Sequence, residues 1–219
     1  MIPPASLEKV LEGMEGAVAL RDPARLDEAA DEALRAGCPR EEAAAALTRG
    51  LERARRAFAE NNLALPEFLL CLDIMEEGAA RLSKLPARSL APASRPRMVI
   101  GVAQGDVHDL GKNVVAAVCR AYGFEVTDLG RDVAPGAFLA AVKKNKAHVM
   151  AVSAMMSTPL TAMRETVALC RRERPDTIVL VGGAAVDETL ARLMGANATA
   201  PNAGLLPGLF SNLKLLPAP

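Results

Sequence analysis

From Arg97 onward, short apolar segments alternate with amphipathic helical segments, and this alternation constrains the fold more than any other feature of the chain. Near-continuous apolar runs are typical of strands buried on both faces, and amphipathic stretches are typical of crossover helices. The predicted strands are Met98–Ala103, Glu125–Leu129, Val149–Ala154, Ile178–Val181 and a weaker Ala198–Ala200. The predicted helices are Asn113–Tyr122, Gly136–Lys144, Leu160–Arg172, Asp187–Met194 and a last one near Pro207–Leu213. The pattern predicts an α/β domain with a doubly wound, five-stranded parallel sheet.

Residues 1–88 show helical periodicity only. Asp22 followed by Pro23 is a typical helix start, and Gly37 a typical helix end. Short loops between amphipathic helices predict an all-α four-helix bundle. Prolines at 86, 92 and 96 then indicate a linker, which we place at 89–96, ahead of an α/β domain at 97–219.

Charge and hydropathy exclude several classes of function. Lys plus Arg and Asp plus Glu both number 26, so no net positive charge favours nucleic acid. No apolar run approaches the roughly 20 residues of a membrane span. The N-terminus lacks the pattern of a signal peptide, and the four cysteines form no CxxC pair. We therefore expect a cytoplasmic protein with neither a nucleic acid nor a membrane as partner.

Ligands of such sheets bind beyond the carboxyl ends of the strands. The loop after the first predicted strand reads Gly-Asp-Val-His-Asp-Leu-Gly-Lys-Asn, from Gly105 to Asn113. It is not a phosphate-binding P-loop, because five residues separate Gly105 from Gly111 and Asn113 replaces the Ser or Thr that binds magnesium. The dinucleotide fingerprint GxGxxG is absent as well.

The distinctive residues of this loop are His108 and the neighbouring acids. Imidazole binds transition metals, and a carboxylate such as Asp106 can orient its second nitrogen. In the alternative interpretation, Asp106 or Asp109 caps the next helix and His108 is a solvated loop residue. One histidine and one aspartate are too few ligands for a structural zinc site.

Two further loops complete the predicted site. Ser153 to Pro159 is rich in small hydroxyl side chains, and Gly182 to Ala185 has almost no side chains. The glycines could simply turn the chain. Together with the histidine loop, however, they are also consistent with a deep slot for a long, partly polar cofactor.

In this order and spacing, the three motifs closely resemble the cobalamin domain of methionine synthase. They are even more similar to the corrinoid proteins of methylamine, methanol and methoxy-compound methyltransferase systems. The segment from Phe58 to Leu70, with Leu65-Pro66 at its centre, resembles part of the helical cap domain of that family. The resemblance covers nearly the whole chain and implies a flavodoxin- or Rossmann-like cobalamin domain preceded by a cap.

The resemblance also implies residue roles. His108 would replace the benzimidazole of cobalamin as lower axial cobalt ligand, and Asp106 would be its proton-relay partner. Further residues would line the cofactor site: Gly105, Val107, Asp109, Gly111, Ser153, Met155, Ser157, Gly182, Gly183 and Ala203.

The implied function is methyl carriage. The cobalt of cobalamin or a related corrinoid would accept a methyl group as Co(I) from one methyltransferase and deliver it from methyl-Co(III) to a second. The implied partners are a substrate:corrinoid methyltransferase, a corrinoid:tetrahydrofolate or corrinoid:thiol methyltransferase, and a reductive activase. The chain would be a cofactor-carrying subunit rather than a catalyst alone.

Three positions depart from the family pattern. Met155 stands where a leucine is usual, and Pro159 stands where a serine or threonine usually follows. Because proline has no hydroxyl, a proton relay beyond Asp106 must end there or use Thr158, Ser157 or water. Ala64 replaces an aromatic residue of the cap, which implies a looser cover or a different partner.

Other functions share the histidine motif. The cobalamin subunit of a B12-dependent mutase has it but lacks a four-helix cap. A B12-dependent light sensor has the cap but adds a DNA-binding module, for which no basic recognition helix is evident here. A flavodoxin-like domain with another ligand, or none, would leave the coincidence of three loops unexplained.

Overall fold

The computed structural model describes residues 4–86 and 95–216, without the side chains of residues 4–6. The chain forms two compact units. The first comprises Met1–Ala93 with Ala117–Gly123, and the second Ser94–Ala116 with Phe124–Pro219. The predicted linker at 89–96 lies mostly on residues outside the described ranges. None of the helices in those ranges combines the length and hydropathy needed to cross a membrane.

Four helices lie in the N-terminal segment of the first unit, as the periodicity predicts. They are α1 (Pro4–Leu20), α2 (Pro23–Ala36), α3 (Arg40–Ala59) and α4 (Leu65–Leu82). The Asp22 carboxylate accepts a hydrogen bond of 3.0 Å from the Arg25 N–H, and Gly37 ends α2 with a left-handed φ of 63°. Met14, Leu26, Leu47, Phe68 and Met75 are among the fully buried side chains of the bundle. The predicted all-α bundle is confirmed.

The second unit is built on a parallel sheet. Its strands are β1 (Arg97–Val102), β2 (Glu125–Asp128), β3 (Val149–Ser153) and β4 (Ile178–Gly182). The remaining helices are α5 (Leu110–Ala121), α6 (Pro135–Lys144), α7 (Leu160–Glu173), α8 (Glu188–Leu193) and α9 (Leu206–Asn212). The strand order is β2-β1-β3-β4, the first four positions of the flavodoxin-like arrangement.

One face of this sheet is covered by helices. Alternate strand residues, including Val99, Met150 and Val179, share a buried cluster with Phe138 of α6 and Met163 of α7. Because strand side chains alternate between the two faces, these residues belong to one face. The predicted α/β architecture is confirmed.

The fifth strand, predicted at Ala198–Ala200, is not formed. In the described residues the sheet has four strands, and Ala198 makes only an isolated parallel bridge to Leu180. Two backbone hydrogen bonds hold this segment. The Asn197 N–H donates to the Val179 carbonyl at 2.7 Å, and the Val181 N–H donates to the Ala198 carbonyl at 3.2 Å. In the described residues no backbone bond from Thr199 to Val181 continues this ladder, and Pro201, the donor position after Thr199, has no N–H.

Candidate functional site

The loops after β1, β3 and β4 lie side by side at one edge of the sheet. Val102 pairs with Ser153, and Ser153 pairs with Gly182, so the three strands end level. Backbone pairing continues one residue beyond these strands. The Ala103 N–H donates to the Ser153 carbonyl and the Ala154 N–H donates to the Gly182 carbonyl, both at 2.9 Å. The sheet therefore brings the three predicted loops together.

Asp106 ties the β1 loop to the β3 loop. Its Oδ1 atom accepts hydrogen bonds from the His108 backbone N–H at 2.9 Å and lies 2.7 Å from His108 Nδ1. Its Oδ2 atom accepts a bond of 2.6 Å from the Met155 N–H. Burial by itself would raise the pKa of this carboxyl group, which is 1% exposed, but these hydrogen bonds outweigh it and hold the pKa below its ordinary value. Asp106 is therefore a buried acceptor that remains ionised.

The His108 ring is oriented by this carboxylate. An ionised Asp106 can only accept, so the Nδ1 atom beside it carries the proton. The ring is 46% exposed, and Nε2 has no hydrogen-bond partner among residues 4–86 and 95–216. An imidazole nitrogen of this kind, with its partner nitrogen bonded to a carboxylate, can coordinate a metal ion. The same described ranges contain no group of three or more His, Cys, Asp or Glu residues placed to enclose a metal.

Two glycines leave space at this edge, and a third permits a close contact. A Cβ atom added to Gly111 or Gly182 would meet no heavy atom within 4 Å. A Cβ added to Gly183 would lie 2.1 Å from the Ala154 carbonyl oxygen, and its φ is +107°. Gly183 therefore lets the β4 loop pass against the β3 loop, whereas the space beside Gly182 is open.

The other predicted site residues differ in their placement. Val107, Met155 and Ser157 are exposed on the loops, whereas Asp109 lies directly before α5, and its carbonyl accepts from the Asn113 N–H at 2.9 Å. Ala203 is buried at the start of a 3₁₀ turn, Ala203–Leu205. It takes no part in the hydrogen bonds that join the three loops.

Sequence reasoning missed two contributions to the site. The Met155 backbone N–H binds Asp106, a contact that no side chain in the sequence marks. Asp132, after β2, accepts a bond of 2.8 Å from the Gly105 N–H through Oδ1. An acidic residue shortly after a strand of the same parallel sheet was the signal that could have found it.

Lys112 supports the exclusion of a P-loop. Its ammonium group is ion-paired with Asp128, and its side chain is only 3% exposed. A buried, paired lysine differs from the phosphate-binding lysine of a P-loop, which must face its ligand.

The chain is similar to known proteins that bind cobalamin or related corrinoids. The model of the B12 binding domain family matches residues 96–202. Dimethylamine corrinoid protein 3 of Methanosarcina acetivorans is 33% identical over 202 residues, which cover 91% of this chain and 94% of that protein. A cobalamin-binding protein from Desulfitobacterium hafniense DCB-2 matches with a TM-score of 0.69 at 25% identity, over 94% of this chain and 98% of that one.

The methanol:cobalamin methyltransferase complex MtaBC of Methanosarcina barkeri contains a chain that matches with a TM-score of 0.65. The identity is 27%, and the match covers 97% of this chain and 84% of that one. The sequence similarity extends beyond the α/β unit, because the match to the dimethylamine corrinoid protein covers most of both chains. The chain therefore belongs to the family of corrinoid proteins of methyltransferase systems.

Proposed function

We propose that this protein carries a methyl group on the cobalt of a bound corrinoid between two methyltransferases, with His108 as the lower axial ligand. The observation that supports this most directly is the Asp106–His108 pair. A buried carboxylate holds Nδ1 at 2.7 Å, and the exposed ring keeps Nε2 without a partner in the described part of the chain. A histidine oriented in this way is a typical metal ligand with a supporting carboxylate.

The residues present fit a corrinoid. The donor set supplies one imidazole, as an axial ligand requires, and Gly111 and Gly182 leave open space beside the loops. Bound cobalt supplies the atom that takes up and releases the methyl group. Asp106 orients the ring and holds the Nδ1 proton, while the N–H groups of His108 and Met155 hold Asp106. We further propose as lining residues Gly105, Val107, Asp109, Gly111, Ser153, Met155, Ser157, Gly182, Gly183 and Ala203.

The proposed partners follow from the chemistry of methyl carriage. A substrate:corrinoid methyltransferase would load the cofactor, and a corrinoid:tetrahydrofolate or corrinoid:thiol methyltransferase would unload it. A reductive activase would restore cobalt after accidental oxidation. The resemblance to a chain of a methanol:cobalamin methyltransferase complex supports the first of these partners. We also propose a cytoplasmic location and a division into a cap at 1–88, a linker at 89–96 and a cobalamin domain at 97–219.

Electron paramagnetic resonance of the cobalamin-loaded protein in its Co(II) form tests the axial ligand. With nitrogen-15 in the histidine rings, we expect the nitrogen splitting of the cobalt signal to change from a triplet to a doublet. His108→Ala should abolish this effect and weaken cobalamin binding.

His148→Ala is the matched control, since the chain has two histidines. His148 lies next to the amino end of β3, and its Nδ1 atom accepts a hydrogen bond of 3.0 Å from the Arg97 N–H. We expect this variant to keep the wild-type signal. A benzimidazole nitrogen on cobalt in the wild-type protein would contradict the proposal.

A further inference from the structure

The loop between β2 and α6 holds the histidine loop from a direction that the sequence motif does not indicate. We propose that Asp132 is a positioning residue. It keeps Asp106 hydrogen-bonded to His108, so that the Nε2 atom of His108 is available to bind cobalt. The inference rests on the proposed function, because it assigns Asp132 a part in presenting the axial ligand.

Asp132 contacts the histidine loop through two hydrogen bonds. Its Oδ1 atom accepts from the Gly105 N–H at 2.8 Å. Its own N–H donates to the Asp106 carbonyl oxygen at 3.0 Å. These bonds hold the backbone before and after the Asp106 Cα atom, so Asp132 restrains the residue that orients His108.

The backbone conformation of Asp132 indicates that its side chain is used. Its φ is +55°, in the left-handed region that non-glycine residues adopt at a cost. Glycine would adopt this conformation without that cost, and the loop has a glycine two residues earlier, at Gly130. An aspartate here is explained by the bond that its carboxylate makes to Gly105.

Asp132 can act as a clamp because its own loop is anchored to β1 on both sides. The Val102 N–H donates to the Gly130 carbonyl at 2.9 Å, and the Val133 N–H donates to the Val102 carbonyl at 3.0 Å. The Asp128 carboxylate, which is ion-paired with Lys112, also accepts from the Gly130 N–H at 2.8 Å. The backbone on both sides of Asp132 is thus hydrogen-bonded to β1.

The histidine loop needs such a restraint. Gly105 has a φ of +88° and the wide conformational freedom of glycine. Without the bond to Asp132, the segment from Gly105 to Asp106 would adopt more conformations. A smaller fraction of them would keep the hydrogen bond by which Asp106 orients the His108 ring. Ordering the loop would then cost free energy when the cofactor binds, so the affinity for the cofactor would fall.

Two substitutions separate the carboxylate bond from the backbone conformation. Asp132→Asn keeps an oxygen that accepts from Gly105, and Asp132→Gly removes it, while both residues tolerate a positive φ. Lys146→Gly is the control for added backbone freedom, because Lys146 also has a positive φ, of 48°, and precedes the amino end of β3. Urea unfolding of the proteins without cofactor checks that every variant is folded.

We expect Asp132→Gly to raise the dissociation constant of cobalamin about tenfold, the effect of one lost hydrogen bond. It should also reduce the fraction of Co(II) protein with a histidine nitrogen on cobalt. Hydrogen exchange of the Gly105 and His108 amides should be faster in the cofactor-free Asp132→Gly protein. Asp132→Asn and Lys146→Gly should match the wild-type protein in all three measurements.

The outcomes distinguish this inference from the proposed function. If the wild-type protein shows histidine on cobalt and Asp132→Gly shows the same signal and affinity, Asp132 has no positioning role. A benzimidazole nitrogen in the wild-type protein contradicts the axial role of His108, whatever Asp132 does to amide exchange.

Discussion

Asp106 Oδ2 accepts a 2.6 Å hydrogen bond from the backbone N–H of Met155, which lies 49 residues further along the chain. Oδ1 of the same carboxylate accepts from the His108 backbone and lies beside the His108 ring. Both oxygens of this buried group are therefore acceptors from N–H donors. No neutral side chain of the same shape can reproduce that arrangement, because an amide replaces one oxygen with a donor.

Asp106→Asn tests this relationship in the protein without cofactor. The new NH₂ group must face the N–H of either Met155 or His108, so one bond is lost and two donors are opposed. We expect the free energy of unfolding to fall by about 1–3 kcal/mol, measured by urea denaturation. Asp187→Asn is the control, since Asp187 caps α8 through its Oδ1 atom and asparagine caps helices equally well. Equal stability of Asp106→Asn and wild type would refute the arrangement.

The adjacent glycines of the β4 loop should respond differently to alanine. At Gly183 the new Cβ would collide with the Ala154 carbonyl, and the φ of +107° is unfavourable as well. We expect Gly183→Ala to lower the free energy of unfolding by more than about 2 kcal/mol.

At Gly182 the same methyl group meets no heavy atom within 4 Å. Gly182→Ala should therefore change stability by less than about 0.5 kcal/mol. It should nevertheless weaken cobalamin binding in a titration, because the methyl group takes up space proposed for the cofactor. Unchanged affinity in a folded Gly182→Ala protein would remove Gly182 from the proposed lining.

Arg40 closes the carboxyl end of α4 inside the helical bundle. Its guanidinium group donates to the carbonyl oxygens of Leu82 at 2.8 Å, Ser83 at 2.7 Å and Leu85 at 3.2 Å. Lysine keeps the charge but lacks the planar fork of donors, so Arg40→Lys should cost about 1–3 kcal/mol in urea unfolding. Arg56→Lys, at a surface ion pair with Glu52, should have almost no effect. Equal stability of the two variants would show that the fork is dispensable.

Glu15 should make the bundle sensitive to acid. Burial would raise its pKa, but hydrogen bonds from Arg49 at 2.9 Å and Arg53 at 3.2 Å outweigh that effect and lower it. A carboxyl group with a lowered folded-state pKa stabilises the fold above its unfolded value of about 4.3, and this contribution is lost as the pH falls through the folded value.

The free energy of unfolding should therefore decline less steeply below about pH 4.3 in Glu15→Gln than in the wild-type protein. Glu8→Gln, elsewhere on α1, is the comparison for the removal of a carboxylate without these arginine bonds. Parallel pH profiles for Glu15→Gln and wild type would count against the ion pairs of Glu15.

The sequence by itself determined the elements of the fold and the loops that matter. Periodicity is a local property, so helices and buried strands were predicted within a few residues, and Asp22 and Gly37 marked the ends of α2 because capping is equally local. The order of the strands along the chain also directed attention to His108 and the glycine pair, since parallel strands end at a common edge.

The tertiary structure decided how those loops are held. The Met155 N–H and the carboxylate of Asp132 reach the histidine loop from segments far away in the chain. Every residue except proline has a backbone N–H, so no residue type marks the one that binds Asp106. The missing fifth strand has the same origin, because forming a strand depends on how far its neighbour can pair with it and not on its apolar residues alone.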